Sequence, residues 1–126
     1  MKKSNLDIMR RAKANEQRIL YVLSTNDNQF WSVRDFRRNY SMEVNETRGA
    51  VRRLREYGVP ILNRGYVYGP YYIPLPNQEK FVQEDVAHRR RMAQSWDNMT
   101  DIMEAAAYTR LKVHELVGQN LVKLFQ

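Results

Sequence analysis

The sequence predicts a mainly α-helical fold with one small β-hairpin, followed by a C-terminal helical extension. Apolar residues recur at helical spacing before residue 58 and after residue 76. The stretch between them is rich in aromatic residues, Gly and Pro, which is typical of a hairpin with a decorated loop. With 126 residues, 43% of them hydrophobic, the chain has the length of one compact domain plus an accessory element. We expect a basic N-terminal arm or helix extension at 1–14, the main domain at 15–76 and the helical extension at 77–126.

Two helices are predicted in the first forty residues. The first begins at about Asn5 or Asn15 and ends at Ser24, because four short polar residues follow. Ser32 is a good N-cap for the second helix, since Asp35 stands at the third helical position and completes a capping box.

The third helix is the most basic one. Asn45 or Thr47 is expected to cap its start. It ends at Tyr57, because Gly58 suits a left-handed terminus and Pro60 cannot continue a helix.

The connections between elements are predicted from turn-forming residues. Residues 41–44, none of them Gly, link the second and third helices. In the hairpin, either Asn63–Gly65 is a tight turn or residues 63–70 form a longer tip. We favour the longer tip, because Gly69 and Pro70 should interrupt any continuous strand.

The positive charge lies in one part of the chain. The formal net charge is +7, from 21 Lys and Arg against 14 Asp and Glu. Residues 1–76 hold 14 basic and 7 acidic residues, whereas residues 77–126 hold seven of each. A positive field confined to one segment is typical of a polyanion-binding module, although a basic soluble surface explains the charge equally well. The N-terminal arm contains Lys2, Lys3, Arg10, Arg11 and Lys13. These residues could lie along DNA, or the arm could be a frayed basic terminus.

The arginines of the third helix lie away from its apolar face. On a helical wheel of about 100° per residue, the core arc holds Thr47, Ala50, Val51, Leu54 and Tyr57. The four arginines, at 48, 52, 53 and 55, all lie outside that arc. Such a face can contact a duplex, and the alternative is a solvated basic face paired with Glu46 and Glu56.

Two motifs carry a resemblance to a known family. Residues 47–61, TRGAVRRLREYGVPI, join a capped, arginine-bearing helix to the hairpin, and residues 30–32, Phe-Trp-Ser, supply a short strand and a cap before the second helix. Residues 15–74 thereby resemble the winged helix-turn-helix domain of the biotin-repressor-like type. The resemblance implies sequence-specific binding of duplex DNA, with residues 45–55 in the major groove and the hairpin, or wing, on the adjoining backbone or minor groove. Nothing of the ligase part of that family follows the domain.

The candidate contact residues follow from the position of the third helix. A helix in the major groove reaches base edges from its N-terminal half. The candidates for base contact are Asn45, Thr47, Arg48 and Arg52. The candidates for contact with the DNA backbone are Ser32, Arg34, Arg37, Arg38, Gly49, Arg53 and Arg55. The wing candidates are Arg64, Tyr66 and Tyr68, whose tyrosines could bond the backbone, stack on an unpaired base or simply cover the hairpin.

The C-terminal extension is predicted to contain two amphipathic helices, the second capped by Asn98 with Asp101 at its third position. We expect these helices to form a homodimer that matches two DNA half-sites; the alternative is that they fold back to complete the core of the monomer. The basic run His88–Arg91 is expected on a solvated helix face. The candidate interface residues are Trp96, Met99, Ile102, Met103, Ala106, Val113 and Val117.

The residue inventory argues against catalysis. The chain has no cysteine, two histidines and none of the common phosphate-loop, zinc-protease or nucleophile-elbow motifs. Glu84 and His88 stand four residues apart but lack a third ligand, so we expect no enzyme, no metal and no cofactor. With no apolar run of about 20 residues and no signal segment, we expect a cytoplasmic protein without membrane contact.

The expected function is sequence-specific binding of double-stranded DNA, as a transcriptional regulator or a replication-origin-binding protein. The small size would suit a phage or mobile element. The alternative is a winged-helix protein-interaction module that binds an acidic partner protein through the same arginines.

Overall fold

The computed structural model describes residues 13–25, 30–86 and 98–118, the side chains of 116–118 excepted. These residues form five helices and two short strands. In chain order they are α1 (Ala14–Thr25), α2 (Val33–Tyr40), α3 (Val44–Glu56), β1 (Leu62–Asn63), β2 (Tyr71–Tyr72), α4 (Glu79–Val86) and α5 (Met99–Gly118). The predicted class, mainly α with a small antiparallel hairpin, is confirmed. The following predictions lie outside the described residues: Lys2, Lys3, Arg10, Arg11, His88–Arg91, Trp96 and the side chain of Val117.

Helix α1 packs against both α3 and α5. Its apolar stripe of Ile19, Leu20 and Leu23 is fully buried, as the helical spacing predicted. Side chains of this size contribute about 1.5–3 kcal/mol each when they leave water. Helix α1 therefore supplies the surface against which α3 and α5 pack.

Helix α2 has the predicted capping box. The Ser32 hydroxyl accepts from the Asp35 N–H (3.1 Å), and the Asp35 carboxylate accepts from the Ser32 N–H (2.9 Å). Phe36 is fully buried and anchors the helix in the core. Just before the cap, Trp31 forms an antiparallel bridge to Tyr71, so the predicted short strand is a single bridge residue beside the hairpin.

The turn between α2 and α3 has three residues, 41–43, one fewer than predicted. Ser41 adopts the left-handed conformation (φ 55°, ψ 30°), where Gly is the usual residue, and its N–H donates to the Arg37 carbonyl (3.0 Å). The Met42 side chain is buried in the core. This buried side chain holds the turn against the fold and thereby fixes α3 next to α2.

Helix α3 begins earlier than predicted. Its first residue is Val44 and its N-cap is Glu43, whereas Asn45 or Thr47 was expected to be the cap. The cause is the short turn, whose last residue, Glu43, is still extended (φ −69°, ψ 154°) and is followed directly by the helix; the Glu43 side chain makes no capping hydrogen bond. The helix ends at Glu56, one residue before the predicted Tyr57, and Gly58 takes the predicted left-handed position with φ 94°.

The hairpin has the longer of the two predicted tips. Its register places these residues opposite each other: Leu62 and Tyr72, Asn63 and Tyr71. Residues 64–70 form the tip. Gly69 is required there, because a Cβ at this position would lie 1.9 Å from the Arg64 carbonyl oxygen.

Helix α5 holds together distant parts of the chain. Its predicted cap is confirmed, since Asn98 Oδ1 accepts from the Asp101 N–H (3.0 Å). From the middle of the helix, Arg110 donates to the carbonyls of Ser24 (2.8 Å), in α1, and Ile73 (2.6 Å), after β2. The described C-terminal residues thus form part of the same core.

The predicted dimer interface is wrong at three positions. Ile102, Ala106 and Val113 are at most 2% exposed and belong to the core of the monomer, and Met99 and Met103 pack partly exposed against that core. The physical reason is that α1 and the hairpin offer α5 an apolar surface within the same chain. The alternative interpretation, folding back onto the monomer, therefore describes α5. A homodimer stays a prediction and would need another surface.

Candidate nucleic-acid interface

Helix α3 separates an apolar face from a basic one. Val51 and Leu54 are at most 1% exposed, as the helical wheel predicted. Asn45, Arg48 and Arg52 are exposed on another side of the helix. Because residues four apart are neighbours on a helix surface, the two arginines lie one above the other.

Thr47 was wrongly predicted to contact bases. Its side chain is 0% exposed, and its hydroxyl donates to the Glu43 carbonyl (3.0 Å). The position lies four residues before Val51 and therefore on the core side of the helix. This correction leaves Asn45, Arg48 and Arg52 as the candidates for base contact.

Arg53 reaches towards α1. Its Nε lies 3.2 Å from Oε1 of Glu16, whose side chain is only 2% exposed. A buried carboxylate needs a counter-charge, so Arg53 neutralises Glu16; because the Arg53 side chain is 37% exposed, its contact with the DNA backbone stays a prediction. Gly49 leaves room for this arrangement, because a Cβ there would lie 3.3 Å from Nη1 of Arg53.

Arg55 ties α3 to the hairpin. Its Nε donates to the Ile61 carbonyl (2.9 Å), and its Nη2 donates to Oδ1 of Asn63 (2.9 Å). The guanidinium group also lies over the Tyr71 ring, 5.8 Å from its centroid. Asn63 in turn donates to the Gly69 carbonyl. Arg55 therefore fixes the hairpin relative to α3, and this role replaces the predicted contact with the DNA backbone.

The wing arginine, Arg64, is turned towards α4. Its Nη1 donates to Oδ1 of Asp85 (2.9 Å) and its Nη2 to Oε2 of Glu84 (2.8 Å). The guanidinium carbon lies 3.9 Å from the centroid of the Phe81 ring. The prediction that Arg64 reaches DNA is wrong, because a carboxylate pair and an aromatic face on α4 hold it.

Asp85 is the functional neighbour that the sequence reasoning missed. It is 0% exposed and accepts from the Gly65 N–H (2.9 Å) and the Tyr72 hydroxyl as well as from Arg64. Burial, and then the bond to Asp85, raise the pKa of Tyr72 well above its usual 10. The sequence feature that could have identified Asp85 is its spacing. It lies three residues after the core residue Val82, which places its carboxylate on the buried face of α4.

Helix α2 contributes exposed positive charge. Three of its arginines are exposed: Arg34, Arg37 and Arg38. Neither these nor Arg48 and Arg52 of α3 form an ion pair within residues 13–25, 30–86 and 98–115. The predicted backbone contact from Ser32 is less accessible, because its N–H and its hydroxyl are both bonded to Asp35.

The glutamates of α3 do not neutralise its exposed arginines. Glu46 accepts from Nδ2 of Asn15 in α1 (2.9 Å). Glu56 forms no ion pair with any residue that the structure describes. The alternative of a basic face paired with its own glutamates therefore does not describe Arg48 and Arg52.

The hairpin tip is aromatic and lies beside this basic face. Tyr66 is 60% exposed and Tyr68 is 74% exposed. The guanidinium carbon of Arg48 lies 5.7 Å from the centroid of the Tyr68 ring. Tyr68 and the N-terminal half of α3 thus belong to one surface.

Other kinds of site find no support in the described part of the chain. Its residues include no group of three or more His, Asp or Glu side chains that could bind a metal ion. None of its helices combines the length and the apolar character needed to cross a membrane. No family model matches the chain, and no curated protein or solved structure is significantly similar to it. The interface is therefore interpreted from its own geometry.

Proposed function

We propose that this protein binds double-stranded DNA with sequence specificity and acts as a transcriptional regulator or a replication-origin-binding protein in the cytoplasm. One observation carries the proposal. Arg48 and Arg52 of α3 are exposed, adjacent and without a carboxylate partner among the described residues, whereas Arg53 and Arg55 of the same helix are engaged inside the fold. Uncompensated guanidinium groups on one helix face suit a polyanion whose bases can be read.

Base contact is assigned to the N-terminal half of α3. Arg can form a bidentate contact with guanine, and Asn can do so with adenine. Asn45 is the second residue of α3 and Arg48 the fifth, and Arg52 follows one turn later. A recognition helix contacts base edges with residues so placed.

Phosphate contact is assigned to Arg34, Arg37 and Arg38 of α2. Their exposure and lack of ion pairs among the described residues leave all three guanidinium groups able to bind the backbone. The short turn at 41–43 and the buried Met42 keep α2 and α3 together, so both can engage one duplex.

The proposal is tested by selecting bound sites from random duplex DNA and then comparing Arg52→Ala with Arg38→Ala. Arg52→Ala should cost about 1–3 kcal/mol on the selected site and relax the preference at one base position. Arg38→Ala should weaken binding to all sequences alike. Equal, sequence-independent losses in both variants would show that α3 does not read bases.

A further inference from the structure

The hairpin changes character between its base and its tip. At the base, Tyr71 and Tyr72 are 7% and 1% exposed, whereas at the tip Tyr66 and Tyr68 are 60% and 74% exposed, with Val67 at 48% between them. The same residue type is therefore buried at one end and exposed at the other. Three consecutive exposed residues of this size form an apolar patch that suits a binding partner.

The tip is held in one shape rather than left loose. The Gly69 N–H donates to the Tyr66 carbonyl (2.9 Å) and closes a turn around the two intervening residues. At the neck of the tip, the Arg64 N–H donates to the Pro70 carbonyl (2.8 Å), and the Gly65 N–H donates to the buried Asp85 (2.9 Å). The aromatic side chains are therefore presented on an ordered backbone, which lowers the entropy cost of binding.

The surroundings of the tip select the chemistry of the partner. Arg48 lies over the ring of Tyr68, and Arg52 stands one turn further along α3. An aromatic face next to guanidinium groups suits a ligand that combines a flat ring with a negative backbone, as nucleotides do. In a fully paired duplex the faces of the bases are covered by stacking, so such a site needs a base that has left the stack.

We propose that Tyr68, with Tyr66 beside it, stacks on an unpaired base of the DNA that α3 holds, so that the preferred ligand is a duplex containing a locally unpaired nucleotide. This inference rests on the proposed DNA binding and narrows its ligand. Tyr68 provides the stacking face, and Arg48, which lies over the same ring, contacts the base pair next to the unpaired nucleotide. Stacking on an aromatic side chain changes affinity by roughly 5- to 100-fold per base.

The experiment uses the full chain and two synthetic duplexes of about 20 base pairs, two helical turns. One duplex is fully paired, and the other has a single unpaired fluorescent adenine analogue in the middle. Wild type should bind the second duplex at least 5-fold more tightly and quench its fluorescence. Tyr68→Leu should lose both the quenching and the preference for the duplex with the unpaired base over the paired duplex. Tyr68→Phe, the matched control, should keep both, because it retains the ring.

The outcomes separate this inference from the proposed function. Equal, salt-sensitive binding of both duplexes would overturn the stacking site and leave duplex binding in place. A loss in Tyr68→Phe as large as that in Tyr68→Leu would also overturn it, because the hydroxyl would then carry the interaction. No binding to either duplex would overturn both proposals.

Discussion

Nine of the ten arginines in the described part of the chain fall into an outward set and an inward set. The outward set is exposed and has no ion pair among the described residues; it consists of Arg34, Arg37, Arg38, Arg48 and Arg52. The inward set contacts groups of the same chain; it consists of Arg53, Arg55, Arg64 and Arg110. On α3 the two sets are separated by a single residue step, from Arg52 to Arg53.

The difference between the sets teaches that positive charge by itself does not locate an interface. Arg53 and Arg55 lie outside the core arc of α3 just as Arg48 and Arg52 do, yet they neutralise a buried carboxylate and bond the base of the hairpin. A buried acceptor that loses its donor is destabilising, so the fold keeps these guanidinium groups engaged. What remains for an external ligand is the set that the fold itself leaves uncompensated.

The largest expected effect tests the inward set at Arg64. Asp85→Ala should lower the free energy of unfolding by about 3–5 kcal/mol, because it leaves a guanidinium group, the Gly65 N–H and the Tyr72 hydroxyl without their acceptor. Glu84→Ala is the matched control, since it removes the exposed acceptor of the same guanidinium group and should cost about 0–1 kcal/mol. Urea denaturation measures both. Equal losses would mean that Asp85 is not the central acceptor.

The next effect compares one residue from each set on α3. Arg55→Ala should cost about 2–3 kcal/mol of stability, because Asn63 and the Ile61 carbonyl lose a charged donor. Arg52→Ala should change stability by no more than about 0.5 kcal/mol. Thermal denaturation checks this pair. The distinction between the sets would collapse if Arg52→Ala were the more damaging change.

A smaller effect concerns the pH dependence of stability and the Tyr72 hydroxyl, which bonds Asp85 beside Arg64. The pKa of Tyr72 is raised on folding from its usual 10, so the stability contributed by its proton is present below about pH 10 and is lost as the pH rises further. Tyr72→Phe should therefore lose less stability between about pH 10 and 11 than wild type does. Tyr68→Phe removes an exposed hydroxyl and should keep the wild-type slope. Parallel curves for all three proteins would contradict the buried bond.

The smallest effect concerns the turn that positions the outward arginines of α2 and α3. Ser41 adopts the left-handed conformation, which costs a residue with a Cβ about 1–2 kcal/mol. Gly avoids this cost, but the greater conformational freedom of its unfolded chain cancels part of the gain. Ser41→Gly should therefore raise stability by about 0.5–1 kcal/mol. Ser41→Ala keeps the Cβ and should give no gain. If both variants were equally stable, the turn would carry no such strain.

The sequence predicted those features that depend on local pattern. The capping box of α2, the Asn98 cap of α5, the buried stripe of α1 and the long hairpin tip depend on neighbouring residues, and the structure has all of them. The exposed position of Arg48 and Arg52 likewise followed from helical periodicity.

The features that the sequence did not predict depend on contacts between residues far apart in the chain. Arg53, Arg55 and Arg64 carry the same charge as the outward set, and only the folded positions of Glu16, Asn63 and Asp85 distinguish them. The sequence of α5 is ambiguous in the same way. Its apolar stripe is compatible with packing against a partner subunit and with packing against the core of its own chain. Burial of Ile102 and Val113 decides between these alternatives.

The central claim is that the outward arginines bind duplex DNA, and the salt dependence of binding tests it most directly. With the five outward arginines neutralising charge on the DNA, a plot of log K against log salt concentration should have a slope of about −4 to −5 for wild type. Removing Arg34, Arg37 and Arg38 together should flatten the slope by about 3, whereas Arg55→Lys, which keeps the inward charge, should leave it unchanged. Weak binding with a slope near zero would contradict the claim and favour an acidic protein partner for the same arginines.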